Sequence, residues 1–263
     1  LLSFSDFSYK KNFKLFINRH EILKLIKNLG EKGVHAKLLS NGRPEPYVGQ
    51  KGIITEAIIR LFCAYQSNIL LTGRAGIGKT SFVKEVANTL LESPISSACS
   101  YYVIEVSIGS ILSGTGMRGD FEKKVGDAIS LISEYENIVV FCDEAHMMRL
   151  TASDGGIGMM DLLKPVLLNA NTKFILATTD DEKDLFSSDP AFVRRFHSIE
   201  LAELTESEKR QAVESHFENL ANFHGIKDFF LDQMDLDFKE PLHQLINTID
   251  FSLAKKRIIG NVI

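Results

Sequence analysis

A chain of 263 residues with 44% hydrophobic and 24% charged side chains can bury one full-sized core plus a smaller appendage, and falls short of two full-sized domains. The composition is that of an ordinary soluble protein, and no apolar run approaches the roughly 20 residues a helix needs to span a bilayer, so no membrane segment is expected. The formal net charge of −4 is opposite in sign to the basic footprint with which nucleic-acid binders displace counterions, so no nucleic-acid partner is expected either.

The first residue is Leu1, and the opening LLSFSDFSYKKNF lacks the long apolar stretch and small-residue cleavage site of a secretory signal. It reads as the start of a fragment or a processed chain. Cys63, Cys99 and Cys142 stand at no metal-like spacing, which points to a cytoplasmic, reducing compartment, with an organelle stroma or matrix as the alternative. Phe16, Ile17, Ile22, Leu23, Leu25, Ile26 and Leu29 recur at helical spacing, with Gly30 and Gly33 as stops, so an N-terminal helix is expected. Turn formers fill 40–46, and residues 1–45 are taken as a helical segment and linker.

From Tyr47 the pattern changes. Strands are expected over 68–72, 101–106, 137–142, 173–178 and 196–201, with helices over 80–91, 118–135 and 159–169 between them. Strands separated by helical crossovers make an α/β unit over 46–203, with a parallel five-stranded sheet covered on both faces. From 204 the run TESEKRQAVESHFENLANF opens like a capped helix and keeps helical period, so 204–263 is expected to be a small helical domain.

Gly73, Arg74, Ala75, Gly76, Ile77, Gly78, Lys79 and Thr80 satisfy Gly-x-x-x-x-Gly-Lys-Ser/Thr. Glycines let successive backbone N–H groups turn inward around phosphate oxygens, while the following helix presents its positive end to the same anion. Lys79 is expected to reach the β- and γ-phosphates of ATP and the Thr80 hydroxyl to ligate Mg2+, with Ser81 extending the binding stretch. A glycine-rich turn with a solvated lysine fits the same string, but the apolar strand before it and the helix after it are the context a phosphate loop requires.

The apolar strand over 138–142 ends in Asp143 and Glu144. Beside a phosphate loop, Asp143 is expected in the Mg2+ shell and Glu144 to activate or orient the attacking water; alone, the two acids would simply cap a strand end. Thr179 ends the next strand, where its hydroxyl either holds the water or γ-phosphate or serves the turn. Arg194 and Arg195 follow a short helix, and spacing alone leaves them a solvated pair.

The motifs in this order resemble an AAA+ module, and more narrowly the first ATPase module of Clp-type protein unfoldases and disaggregases, from about Pro46 to Leu201. Tyr47-Val48-Gly49-Gln50 resembles the segment that packs on adenine. Arg118-Gly119-Asp120-Phe121-Glu122 resembles the Arg-Gly-Glu-Phe-Glu stretch after the pore loop. Asp143-Glu144-Ala145-His146, Leu163-Lys164-Pro165, Ala177-Thr178-Thr179 and the segment from Asp189 to Phe196 resemble the family's Asp-Glu-x-His, Leu-Lys-Pro, sensor and arginine-finger motifs. The resemblance implies an Mg2+-dependent ATPase with Val48 and Gly49 near the adenine and Thr179 as sensor. It further implies Arg194 and Arg195 as fingers reaching a neighbouring subunit's nucleotide, and a C-terminal helical lid. The partners implied are a homo-oligomeric ring, commonly a hexamer, and a protein substrate or larger protein complex.

Three features depart from the family pattern. The pore loop usually carries an aromatic before its Arg-Gly pair; here Met117 stands there, after Gly116. Ser252-Leu253-Ala254-Lys255-Lys256-Arg257 is only loosely like the nucleotide-contacting lid helix, with Lys256 and Arg257 as sensor candidates or as a solvated basic face. The family's N-terminal substrate domain and second ATPase module do not fall within these residues. The leading reading is an ATP-driven ring motor that unfolds or remodels protein. The alternative is a Clp-like module that binds ATP to oligomerise and dock a larger complex without threading, and a nucleic-acid-directed loader is disfavoured by the acidic balance.

Overall fold

A computed structural model describes residues 15–39, 47–49, 51–92, 100–113, 118–151, 158–168, 172–187, 189–226 and 230–260. The expected linker over 40–46, Gln50 and the loop 114–117 with Met117 lie outside the described residues. In chain order the elements are α1 (Arg19–Glu31), β1 (Ala36–Leu38), α2 (Lys51–Leu61), β2 (Asn68–Thr72), α3 (Lys79–Glu92), β3 (Tyr102–Val106), α4 (Ile108–Leu112), α5 (Arg118–Ile132) and β4 (Ile138–Cys142). After a 3-10 turn come α6 (Met159–Leu167), β5 (Lys173–Ala177), α7 (Asp180–Ser187), α8 (Pro190–Val193), β6 (Phe196–Glu200), α9 (Glu206–His224) and α10 (Leu242–Gly260).

The sheet runs β1-β3-β4-β5-β2-β6, parallel except at one edge. β2, β4 and β5 are buried at every position, the unbroken apolar pattern of strands covered on both faces. Period-2 alternation then sorts the side chains into two layers. Ile138, Val140 and Cys142 of β4 face the layer that holds α1, α5 and α6. Val139 and Phe141 face the layer filled by Phe82, Val83, Val86 and Leu90 of α3. Burial holds the Cys142 thiol protonated, its pKa pushed up to about 12, so it behaves as a small apolar side chain.

Among the described residues the sheet has six strands rather than the expected five, and it is mixed. β1 pairs antiparallel with β3, Ala36 opposite Val106 and Leu38 opposite Ile104. A three-residue strand is too short to show a period; it is held by its ladder and by Lys37, whose Nζ lies 2.9 Å from Glu105 directly across. The preceding chain is tied down by Asn137, wholly buried, whose Oδ1 accepts from Ile17 N–H at 2.8 Å while its Nδ2 donates to the Ile17 and Ser100 carbonyls.

α9 and α10 pack on each other around Val213, Ala221, Leu245, Ile249 and Leu253, an apolar cluster of their own. α9 starts on a capping box: Thr205 Oγ1 accepts from Glu208 N–H, and Glu208 Oε2 accepts from Thr205 N–H at 2.8 Å. It stops at Gly225, left-handed at φ 69°, where a side chain would be strained. Lys209 is buried in α9, and its ammonium donates to the carbonyls of Phe238, Lys239 and Glu240, fixing the turn that leads into α10. Among the described residues no helix is long and apolar enough to cross a membrane.

Candidate nucleotide-binding site

Three strands deliver the site. β2, β5 and β4 lie side by side and parallel, so their C-terminal ends open on one edge, where ligands bind in open α/β sheets. β2 leads into the loop 73–78 and then α3. Gly73, Gly76 and Gly78 all have positive φ, which side-chain-bearing residues rarely adopt. Gly76 is doubly constrained, because a Cβ there would sit 2.6 Å from the His243 ring at the start of α10. The loop therefore curls under the first turn of α3, whose unpaired N–H groups suit an anion.

Lys79 Nζ donates across the loop to the carbonyls of Gly73 at 2.7 Å and Arg74 at 3.0 Å. Burial lowers the Lys79 pKa, opposed by the charges of Asp143, Asp180 and Glu182. Thr80 Oγ1 donates to Asp143 Oδ2 at 3.0 Å, and Asp143 Oδ1 accepts from the Glu144 N–H at 2.9 Å. Glu144 is exposed, with φ 50°, a conformation that costs a non-glycine residue about 1 kcal/mol or more and recurs at functional sites. Ala75, Gly76, Gly78, Lys79, Thr80, Ser81, Asp143, Glu144, Thr178 and Thr179 share one open cleft with a volume of about 370 Å³, within the size range of small-ligand sites.

His146 and Glu182 line the same cleft, a placement that no motif in the sequence assigns to either. Glu182 Oε2 accepts from Thr179 Oγ1 at 2.7 Å and from Thr179 N–H and Thr178 Oγ1 at 3.3 Å each. His146 Nδ1 approaches the same oxygen to 2.9 Å without the alignment of a hydrogen bond, so that contact is one of proximity. The Thr-x-x-Glu spacing of a helix cap was the visible signal for Glu182.

A second cleft adjoins the loop, between Arg74, Ala75, Gly76 and Ile77 on one side and Glu203, Leu204, Lys209, Pro241 and Leu242 on the other. Arg74 pairs with Glu203 across it at 2.5 Å. Lys256 and Arg257 are exposed near the far end of α10 and line neither cleft; Lys209 of α9 and Leu242 of α10 line the second cleft, and His243 stands beside Gly76. Val48 and Gly49 precede α2, and neighbouring Tyr47 meets Phe82 of α3 edge-on at 6.0 Å between ring centroids. That strip lies beside α3 rather than in the phosphate cleft.

Arg194 and Arg195 are not part of this cleft. They precede β6, which pairs in parallel with β2 so that Phe196 lies opposite Asn68 and Glu200 opposite Thr72. Five strand residues, roughly 17 Å, separate them from the loop along the sheet. Asn68 Nδ2 and Gln66 Nε2 hold the carbonyls of Arg195 and Arg194. Lys164 of the Leu-Lys-Pro motif pairs at 2.6 Å with Asp189, whose carboxylate caps α8 through the Phe192 N–H. The Arg195 guanidinium donates back to the Ala191 carbonyl, whereas Arg194 is exposed.

This arrangement can wrap a polyphosphate in N–H groups and an ammonium, offer two hard oxygen ligands to a cation, and hold a carboxylate free beside them. Residues 69–205 match the ATPase family associated with various cellular activities, AAA. The chain is 26% identical over 233 residues to chaperone protein ClpB of Aquifex aeolicus, covering 84% of this chain and 23% of that protein. It is 31% identical over 193 residues to the ATP-dependent Clp protease ATP-binding subunit ClpL of Staphylococcus aureus, covering 71% and 28%. A solved S. cerevisiae Hsp104-ADP complex superposes with a TM-score of 0.73 at 25% identity, over 88% of this chain and 34% of that one. The chain thus spans about a quarter of the length of these curated relatives.

Proposed function

The chain belongs to the ATPase family associated with various cellular activities, and from that premise we propose that it hydrolyses ATP with Mg2+ in the cleft at the ends of β2, β4 and β5. The observation that carries the reading is the convergence of Lys79, Thr80, Asp143 and Glu144 there, with Thr80 bonded to Asp143. The donor set fits Mg2+: a hydroxyl and a carboxylate oxygen meet at one point of the cleft, and both are the hard oxygen donors that such a cation takes. Thr80 and Asp143 would hold the ion, which when bound neutralises charge on the β- and γ-phosphates.

The chain's own groups do the rest. Loop N–H groups and the Lys79 ammonium bind and orient the phosphates. Glu144 accepts a proton from the attacking water, and Thr179 orients that water or the γ-phosphate. Val48 and Gly49 border the base, and α9 with α10 forms the lid over the second cleft. Arg194 and Arg195 act on a neighbouring subunit's nucleotide, because within one chain the sheet holds them away from the loop. That geometry supports a homo-oligomeric ring, a hexamer by analogy with Clp-type relatives. We further propose that the ring remodels protein substrates, as the relatedness to the chaperone ClpB supports.

The test is to incubate the assembled protein with ATP, Mg2+ and a folded, tagged reporter protein, following phosphate release and loss of reporter structure together. Turnover with ATP-dependent unfolding is expected. Turnover without unfolding would remove the remodelling role and leave the ATPase, and absence of both ATP binding and turnover would remove the whole reading.

A further inference from the structure

Glu182 does more than cap a helix. Thr-x-x-Glu also opens α9, where among the described residues Glu208 Oε2 accepts from Thr205 alone. At α7 the corresponding oxygen gathers the hydroxyls of both Thr178 and Thr179, with His146 beside it, and lines the cleft that holds Lys79, Asp143 and Glu144. Burial alone would raise the pKa of Glu182, but the hydrogen bonds from Thr179 together with His146 hold it below the usual carboxylate value, so the group is an anion at neutral pH.

We infer that Glu182 is a positioning residue for hydrolysis: by taking the hydroxyl hydrogen of Thr179, it leaves that oxygen facing the cleft as an acceptor only. A hydroxyl has one hydrogen and two lone pairs, and a 2.7 Å bond to a carboxylate commits the hydrogen strongly. Phosphate oxygens of bound ATP have no hydrogen to offer, so of the two partners proposed for Thr179, the γ-phosphate and the attacking water, the water is the one that can donate to it. Glu144 lines the same cleft as a further acceptor. A water with one hydrogen on Thr179 and the other on Glu144 keeps a lone pair for the γ-phosphorus. Its oxygen then bonds to phosphorus as the bond to the β–γ bridging oxygen breaks, ADP leaves, and the water's proton passes to Glu144. Glu182 thereby selects between two roles for the Thr179 hydroxyl, favouring the water over the phosphate.

This inference rests on the ATPase reading, and its test separates the two. ATP turnover and ATP affinity are measured for the parent, Glu182→Ala, Glu182→Gln, Thr179→Val and the Glu182→Ala/Thr179→Val double variant, with thermal melts as a fold control. Glu182→Ala is expected to lower kcat about tenfold, the worth of one well-placed hydrogen bond, with KM and ATP affinity unchanged. Thr179→Val should do the same, and the double variant should be no slower than Thr179→Val alone, since Glu182 acts through that hydroxyl. Glu182→Gln, whose amide oxygen still accepts from Thr179, should recover most of the rate. Additive losses, a loss in KM alone, or a Glu182→Gln variant as slow as Glu182→Ala would overturn the inference while leaving the ATPase intact. A parent with no turnover would overturn both.

Discussion

The Thr80 hydroxyl donates to Asp143 Oδ2 at 3.0 Å, joining the first turn of α3 to the end of β4 across the intervening β5. Sixty-three positions apart in sequence, the two meet because right-handed crossovers return parallel strands with their C-terminal ends on one edge. The proposed cation ligands thus come from two elements that the sheet core already fixes.

Asp143→Asn keeps the shape and the Thr80 contact but removes the negative charge that a hard divalent cation prefers. The Mg2+ concentration needed for half-maximal turnover should rise by more than the roughly 10–100-fold that loss of an outer-shell partner costs. Chelation of Mg2+ should stop turnover in the parent. A Mg2+ titration of phosphate release checks both, and an unchanged midpoint in Asp143→Asn would remove this residue from the ligand set.

Lys79→Ala deletes the ammonium that spans the loop and should abolish measurable ATP binding by calorimetry near neutral pH. Because burial lowers the Lys79 pKa, the charge needed for phosphate is lost at a lower pH than for a free lysine. ATP affinity should therefore fall in moderately alkaline buffer, and Lys79→Arg, which keeps its charge there, should not show the fall. A flat alkaline profile in the parent would contradict the assignment.

Glu208 tests the α9 cap through pH. The Thr205 N–H and hydroxyl lower its pKa, against a small opposing effect of burial. A carboxylate with a folded pKa below its unfolded value contributes stability that is complete above the unfolded value and lost as pH falls through the folded one. The melting temperature of the parent should therefore exceed that of Glu208→Gln at neutral pH, with the gap closing in acid. Thr205→Ala, which removes the reciprocal cap, should cost about 1 kcal/mol at neutral pH. A gap between parent and Glu208→Gln that persists in acid would rule out the charge as its source.

Local signals made most of the α/β unit readable. The uniformly buried strands β2, β4 and β5 are short apolar runs in sequence, and the phosphate loop is contiguous, so pattern and motif sufficed. What escaped depends on where distant pieces land. β1 is three residues long, and its strand character comes from the ladder to β3 and the Lys37–Glu105 pair. Glu182 is visible as a cap, yet its place in the cleft depends on α7 folding back beside the 3-10 turn that carries His146. His243 touches Gly76 only because α10 comes to rest against the loop, which no local spacing encodes. The two arginines look equivalent in sequence and differ in the fold, since α8 offers its Ala191 carbonyl to Arg195 alone.

That difference sets the final prediction. A guanidinium reaching a neighbour's γ-phosphate stabilises charge that develops during phosphoryl transfer, and such a finger is worth roughly 10³ to 10⁵ in rate. Arg194 is exposed, whereas Arg195 is engaged with its own helix, so Arg194→Ala should lose the larger share of turnover while still binding ATP. Arg195→Ala should lose less, and should lower the melting temperature because it frees the α8 carbonyl. Action between subunits is tested by mixing two inactive proteins, Arg194→Ala/Arg195→Ala with intact Glu144, and Glu144→Gln with intact arginines. In a mixed ring some sites pair the carboxylate of one subunit with the guanidinium of the other. Turnover should reappear and peak at intermediate ratios once subunit exchange is demonstrated by fluorescence transfer between labelled rings. Exchange without recovered turnover would mean that the arginines do not act across the interface, and the roughly 17 Å of strand between them and their own loop would then leave them no part in hydrolysis.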